Sequence, residues 1–341
     1  MTFDDILKQI TEGLSGDAEQ DIAYLNEQAT AYSDHEQAQE IARACGRMIY
    51  ERLPEEERQK AFDAMMEEDI RPMEAALSEA RALIAANDLE KAQTVLEDLV
   101  DKADDAKKRG LFQDDAMSEY YCFSEPFEEM LYMFRKKPER EVRRSVIPFA
   151  DIYSLYGQLL MARGDDRAAN YVLKEAVRWN PANAAISFDY AASFKKLGDM
   201  EKFMEITRGI FSYAFRPADL ARCYRNVGDY FIHHEQWAEA KGCILFGMQF
   251  DEDAPDAKKA LAYIDEKTNG EAVAPAIEIM EALAAIHDFP LSADENIVQL
   301  SYMYGQGFLN QNNTDAARYF LGIAYGLTEA EELKLILDKI C

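Results

Sequence analysis

Residues 153–181 read YSLYGQLLMARGDDRAANYVLKEAVRWNP, and the spacing of small and large apolar residues in this stretch decides the fold. Two runs with helical spacing flank a turn signal at Gly164. Gly157 lies in the first run and Ala169 in the second, so each run offers one small residue to the other. Pro181 marks the end of the second run, because proline interrupts helical hydrogen bonding. The stretch predicts two antiparallel helices that approach closely where Gly157 faces Ala169.

The same pattern recurs along the chain. Its full form pairs a glycine with an alanine at one spacing, in Gly157 with Ala169, Gly228 with Ala240, and Gly305 with Ala317. Partial copies lie around Ala80 and Ala191. A glycine inside a helix costs about 1 kcal/mol relative to alanine, so its return at one slot indicates a packing requirement. The chain is therefore predicted to be a helical repeat protein, in which each unit packs on its neighbours.

This pattern resembles the tetratricopeptide repeat, a unit of roughly 34 residues with small and large apolar residues at fixed slots. The resemblance implies an all-α fold, a right-handed α-α superhelix built as a solenoid of antiparallel helix pairs. The chain departs from the family pattern, because Tyr or Ser stands at the slot of the leading Trp and only the first full unit keeps the terminal Pro. Family members commonly hold a peptide in a concave groove, so the resemblance also implies a protein- or peptide-binding scaffold or adaptor.

Four regions are predicted along the chain. They are an N-terminal helical region with divergent and repeat-like hairpins at 1–106, an aromatic and basic insert at 107–149, the core repeats at 150–254, and a degenerate hairpin with a final repeat at 255–341. The insert is distinguished by seven aromatic residues within 112–134 and by the basic run 135–144. It admits two interpretations: an exposed docking patch, since Tyr and Arg are enriched at interface hot spots, or a hairpin whose aromatic residues pack on neighbouring helices.

The composition excludes several classes of partner. The 341 residues carry 64 acidic and 37 basic side chains, a net charge of −27. Nucleic acid and anionic membrane surfaces attract basic proteins, so neither is predicted as a partner. No apolar run approaches a membrane span, and the acidic N-terminus does not resemble a secretory signal. Reduced thiols and a cytoplasmic location are favoured by five scattered cysteines, which are Cys45, Cys122, Cys223, Cys243 and Cys341.

The sequence offers no constellation for catalysis. It contains none of the short motifs that cradle phosphates, carry a serine nucleophile or bind catalytic zinc. Cys223 and Cys243, on the two helices of one predicted hairpin, are interpreted as buried thiols rather than a redox pair. No enzyme activity, cofactor or metal is therefore predicted. Two alternatives to a scaffold stay open: a sensor that changes conformation when it binds a signalling peptide, and a helical-repeat enzyme with an acid pair in the groove.

The predicted groove is lined by residues that lie between the packing slots. Its candidate peptide-binding residues are Gln158, Phe188, Lys195, Arg222, Arg225, Asn226 and Tyr302. Lys195, Arg222 and Arg225 concentrate positive charge in an acidic protein, and guanidinium groups suit bidentate recognition of a carboxylate. The predicted partner is therefore a protein or peptide with an acidic stretch or a free C-terminal carboxylate. The competing interpretation pairs these cations with local acids, which are Asp189, Asp219 and Asp229.

Overall fold

The chain is built almost entirely from helices in a computed structural model that describes residues 2–115 and 117–340. In chain order the helices are α1 (Phe3–Glu12), α2 (Ala18–Ala31), α3 (Ala38–Arg52), α4 (Glu55–Met65), α5 (Arg71–Ala85), α6 (Leu89–Lys108), α7 (Pro126–Lys136), α8 (Phe149–Arg163), α9 (Asp166–Trp179), α10 (Ala184–Leu197), α11 (Met200–Phe211), α12 (Pro217–His233), α13 (Trp237–Gly247), α14 (Pro255–Thr268), α15 (Ile277–His287), α16 (Glu295–Asn310), α17 (Thr314–Thr328) and α18 (Glu331–Ile340). A π-helical turn (Met66–Ile70) joins α4 to α5, and two short strands, β1 (Ser118–Tyr121) and β2 (Glu141–Arg144), flank α7 in the sequence. The prediction of an all-α fold is confirmed. None of the described helices is both long enough and apolar enough to cross a membrane.

The chain divides into two compact units. Unit 1 comprises the residues up to Phe123, Lys136–Leu159 and Arg178–Asn180. Unit 2 comprises Ser124–Arg135, Leu160–Val177 and the residues from Pro181 onward. The chain therefore alternates between the units, and the residues of the predicted insert are shared between them.

The N-terminal core of unit 1 follows from the amphipathic spacing of α1. Phe3, Ile6 and Ile10 recur at helical spacing, and all three side chains are buried. They share one apolar cluster with Leu25 of α2 and Ile41 of α3. A large apolar side chain contributes about 1.5–3 kcal/mol when it is fully buried. Burial of this kind explains why α1–α3 fold together although their sequence shows no clear repeat register.

A π-helical turn interrupts the long helical stretch between α4 and α5. Pro72 lies in the first turn of α5, directly after the π-helical turn Met66–Ile70. Proline has no N–H and its ring clashes with the carbonyl group four residues earlier, so a regular α-helix does not continue unchanged through it. A wider turn relieves that conflict by altering the hydrogen-bond spacing. The sequence pattern predicts helices here but does not reveal the turn.

The two strands form a parallel pair in unit 1, with Ser118 opposite Glu141. Aspartates before β1 hold its backbone: Asp115 accepts a hydrogen bond from the N–H of Ser118 at 2.8 Å, and Asp114 accepts one from the N–H of Tyr120 at 2.9 Å. Parallel strands require a long connection, which here is the segment that contains α7. The helical repeat pattern does not predict this pair, because four-residue strands are too short to show a clear alternation.

In unit 2, consecutive helices pack as hairpins, α10 with α11, α12 with α13, and α16 with α17. Two recurrent glycines lie at close approaches within these hairpins. A Cβ atom on Gly228 would lie 2.6 Å from Cγ1 of Ile244 and 3.3 Å from the carbonyl oxygen of Ala240. A Cβ atom on Gly305 would lie 2.6 Å from Cγ of Leu321. The prediction that Gly228 and Gly305 lie at close helix crossings is therefore confirmed. The predicted partner Ala240 is among the nearest neighbours of Gly228, whereas the nearest atoms at Gly305 belong to Leu321 and not to the predicted Ala317.

The first full repeat is divided between the two units. Gly157 is buried in unit 1 and Ala169 is buried in unit 2.

Trp179 belongs to unit 1 and is 1% exposed, and its ring stacks on Phe149 with 4.2 Å between the centroids. Aromatic pairs of this kind contribute about 0.5–1.5 kcal/mol beyond their buried area. Trp179 is therefore a core residue of unit 1.

Aromatic residues of α7 are packed in the core of unit 2 rather than displayed. Phe127 is fully buried and lies edge-on to Phe215 and Phe320, with centroid distances of 5.3 and 5.7 Å. Tyr132 is also buried, whereas Phe134 is 41% exposed. For α7, the structure favours the packed interpretation of the insert over a continuous docking patch.

The described cysteines are free thiols, as predicted. They are Cys45, Cys122, Cys223 and Cys243. Cys341 lies outside the described residues.

Candidate functional site

The predicted cations of unit 2 lie on α10 and α12. Phe188 and Lys195 are two turns apart on α10, and Arg222 and Asp229 are two turns apart on α12. Residues at this spacing share one face of a helix. Each helix therefore presents one line of charged and aromatic groups.

Local sequence determines where these helices begin and end. Asn183 caps α10 by accepting a hydrogen bond from the N–H of Ile186 at 3.0 Å. Gly198 ends α10 in the left-handed region, with φ of 81°, a conformation that glycine adopts without steric cost. Pro217 opens α12, where its missing N–H and fixed φ suit the first turn.

Arg222 is held by two neighbours on α10. Its guanidinium carbon lies 4.4 Å from the centroid of the Phe188 ring, and its Nη2 atom lies 3.6 Å from Oδ1 of Asp189. A cation over an aromatic face gains about 0.5–1 kcal/mol at exposed sites. The side chain nevertheless remains 37% exposed, so part of the guanidinium group faces solvent.

Lys195 connects α10 to α12 through an ion pair. Its Nζ atom lies 2.6 Å from Oδ2 of Asp229, and both side chains are partly exposed. Exposed ion pairs contribute about 0–1 kcal/mol, because water screens the charges and both side chains lose conformational freedom. The pair therefore orients Lys195 more than it stabilises the fold.

Arg225 differs from the other two cations. It is half-buried, and it makes no hydrogen bond or contact ion pair within the described part of the chain. Burial lowers its pKa below the ordinary arginine value, and the positive charge of Arg222 lowers it further. The carboxylates of Asp256 and Asp229 act in the opposite direction without touching it. Arg225 thus remains a cation whose surroundings compensate its charge incompletely.

The other candidate residues take different positions. Asn226 is buried, and its Nδ2 atom donates to Oγ1 of Thr207 at 3.2 Å, so this amide group lies in the core of unit 2. Tyr302 is 46% exposed on α16. Gln158 belongs to unit 1, where its Nε2 atom donates to Oγ of Ser154 at 3.4 Å. The three cations, rather than the whole candidate set, form the charged surface on α10 and α12.

A partly buried carboxyl group, that of Asp219, also lies on α12. Asp219 lies one turn before Arg222, and burial raises its pKa although Arg216 and Arg222 act to lower it. The Nη1 atom of Arg216 lies 3.7 Å from its Oδ2 atom. From the sequence, Asp219 is only one of several acids expected near the cations. Its burial depends on the neighbouring helices, so helical spacing alone does not distinguish it from the solvated acids.

The two cysteines of the α12–α13 hairpin are protonated thiols. Burial raises the pKa of both Cys223 and Cys243 well above the ordinary thiol value. Thiolate is the nucleophilic form, so these groups are inert as nucleophiles at neutral pH.

The chemistry that the α10 and α12 cations support is recognition of an anionic group by charge and hydrogen bonding.

Comparison of the chain with protein-family models and with curated proteins returned no match. The functional interpretation of the α10 and α12 cations therefore depends on their own geometry.

Proposed function

We propose that this protein is a protein- or peptide-binding scaffold that recognises a carboxylate of its partner at the α10–α12 surface, formed by Lys195, Arg222 and Arg225. The proposal depends on the environment of Arg225, which is a half-buried cation with no contact ion pair in the described structure. A partner carboxylate would supply the missing counter-charge where water screens it least. Arginine is also suited to bind both oxygens of that carboxylate at once.

The neighbouring cations support this function by being ordered before a partner arrives. Asp229 orients Lys195, while Asp189 and the Phe188 ring orient Arg222. Ordering a long side chain on binding costs about 0.5–1.5 kcal/mol, and a side chain that is already held avoids part of that cost. The predicted partner chemistry follows: an acidic stretch or a free C-terminal carboxylate.

The tetratricopeptide-type repeat and the cytoplasmic location belong to the same proposal. The close approaches at Gly228 and Gly305 support the repeat register. Four free thiols in the described chain support a reducing compartment.

The test is a peptide array in which each sequence is displayed with a free and with an amidated C-terminus, and in which acidic and basic sequences are matched in length. We expect acidic or free-carboxylate peptides to bind more tightly, with affinity that falls as salt rises. The double substitution Arg222→Ala and Arg225→Ala should weaken the best binder by about 2 kcal/mol, roughly 30-fold. This is the low end for truncated charge pairs, because Arg222 is partly solvated.

A matched control removes two positive charges from exposed positions of unit 1, with Lys8→Ala and Lys91→Ala. This variant should bind as the wild type does, which separates local recognition from net charge. Circular dichroism should show equal helical content in all three proteins. Equal affinity of the arginine double variant and the wild type would refute the α10–α12 assignment.

A further inference from the structure

Unit 1 contains a cavity of about 1010 Å³. Its walls come from α3, from α4 with the π-helical turn, from the loop after α6, and from the two strands. Cavities that bind small molecules have volumes of about 300–1,000 Å³, so the space is sufficient for a ligand of drug or cofactor size.

Three residues of the cavity wall carry buried N–H donors that have no acceptor among the described residues. The donor atoms are Nε of Arg43, Nη2 of Arg47 and Nε2 of Gln113. A buried polar group without a hydrogen-bond partner is destabilising, and native structures rarely retain several at one place. All three groups are donors, so a ligand that satisfies them must bring acceptor oxygens.

Arg47 is the best-fixed of these donors. Its side chain is only 9% exposed; Nη1 is ion-paired with Asp115 and also donates to Oγ of Ser118 at 2.9 Å. These contacts hold the guanidinium plane while leaving Nη2 without a protein acceptor in the described chain. Arg43 lies one turn earlier on α3 and makes no hydrogen bond or ion pair with any described residue. The two guanidinium groups therefore offer adjacent donors from one face of α3.

The wall is basic although the protein is strongly acidic. Six basic side chains and three carboxylates line the cavity, whereas the whole chain has a net charge of −27. Two of the three carboxylates are already occupied, since Asp69 lies 2.6 Å from Arg109 and Asp115 is paired with Arg47. Arg109 and Arg143 also pair with acids outside the wall, so the guanidinium donors left for an anion are those of Arg43 and Arg47.

The cavity wall also contains two aromatic side chains and two segments with an unusual backbone conformation. Phe112 and Tyr120 line the cavity and meet edge-to-face, with 5.8 Å between centroids. Phe112 has φ of 51°, a conformation that bulky residues adopt only when the surroundings impose it, often at functional sites. The π-helical turn also contributes wall residues, and such turns are frequent at binding sites. The two rings are inclined to each other by 71° and together form an apolar corner against which a bound ring can pack.

We propose that the unit 1 cavity binds a small organic anion, in which a carboxylate or phosphate group is attached to a flat aromatic ring. The anionic group contacts Arg43 and Arg47, and the ring packs against Phe112 and Tyr120. This site does not depend on the α10–α12 surface, because all its residues belong to unit 1.

The experiment uses four probes and isothermal titration calorimetry on the full chain. The probes are 2-naphthyl phosphate, 2-naphthoate, 2-naphthol and inorganic phosphate. We expect one site per chain for at least one of the two naphthyl anions, and at least tenfold weaker binding of 2-naphthol and of inorganic phosphate. The comparison of the two naphthyl anions distinguishes a phosphate ligand from a carboxylate ligand.

Two variants locate the site. Arg43→Gln removes a charge that has no protein partner in the described structure, so it should fold normally and weaken the preferred anion at least tenfold. Ala42→Trp, at an exposed position of α3 on the cavity wall, should obstruct binding without removing a charge. Arg71→Gln is the matched control, because Arg71 is 62% exposed and is not part of the wall.

The proposal fails if neither naphthyl anion binds at millimolar concentration, or if 2-naphthol binds as tightly as they do. It fails equally if Arg43→Gln and Ala42→Trp, both folded by circular dichroism, bind the preferred anion as the wild type does.

Discussion

Gly305 and Gly307 lie two residues apart in α16, but a side chain at each would meet different surroundings. A Cβ atom on Gly305 would lie 2.6 Å from Cγ of Leu321 and 3.1 Å from the backbone nitrogen of the same residue. At Gly307, the described structure has no neighbouring atom within 4 Å of the added carbon. Alanine substitutions at these two positions therefore test the helix crossing with an internal control.

The magnitude follows from two opposing effects. Replacing a helical glycine by alanine stabilises the helix by about 1 kcal/mol, and this gain applies to both positions. Overpacking at a close contact costs about 1–3 kcal/mol. Since the backbone of Leu321 is part of the contact, α17 has to shift and a change of rotamer alone does not relieve it. We expect Gly307→Ala to stabilise by up to about 1 kcal/mol and Gly305→Ala to be less stable than Gly307→Ala by about 1–3 kcal/mol.

Thermal unfolding followed by circular dichroism measures the difference. About 2–4 °C in Tm corresponds to 1 kcal/mol for a folded unit of this size, so the Tm of Gly305→Ala should lie at least about 2 °C below that of Gly307→Ala. Equal Tm increases for both variants would show that α16 and α17 do not approach closely at Gly305, and would refute the packing reason for the recurrent glycine.

Two further predictions concern titratable groups whose pKa is raised by burial. Cys223 and Cys243 should not react with a thiol reagent until the protein is denatured, and mass spectrometry under non-reducing conditions should find no disulfide; a Cys223–Cys243 bond would contradict the free thiols. Asp219→Asn should raise Tm at pH 8, because burial raises the pKa of Asp219 and its charged form therefore costs stability. This advantage is complete above the raised folded pKa and disappears as the pH falls below the unfolded carboxyl value of about 4; an advantage that grew on acidification would contradict the raised pKa.

The repeating features of the fold are predictable from the sequence because they depend on spacing. Gly228 faces Ala240 and Ile244 in the structure as the repeat register requires. The parallel strands and the π-helical turn are not predictable in this way. The strands depend on pairing between residues 118–121 and 141–144, which are distant in sequence, and the turn depends on how Pro72 is accommodated.

The candidate site shows the same division. Helical spacing correctly brings Arg222 and Arg225 to one helix, and both acids paired with the cations, Asp189 and Asp229, are among those named from the sequence. Helical spacing does not predict the burial of Asn226, because its hydrogen bond to Thr207 depends on packing between α11 and α12. The sequence does not predict the unit 1 cavity, because its wall is assembled from segments that are distant in the sequence.

The alternation of the chain between the two units has a consequence for dissecting the protein. The chain passes from one unit to the other five times, at the boundaries after residues 123, 135, 159, 177 and 180. No single cut separates the two units: a cut at any of these boundaries divides at least one of them, and a fragment that holds all residues of one unit also carries pieces of the other. Point substitutions, rather than deletion series, are therefore the appropriate means of assigning activities to this protein.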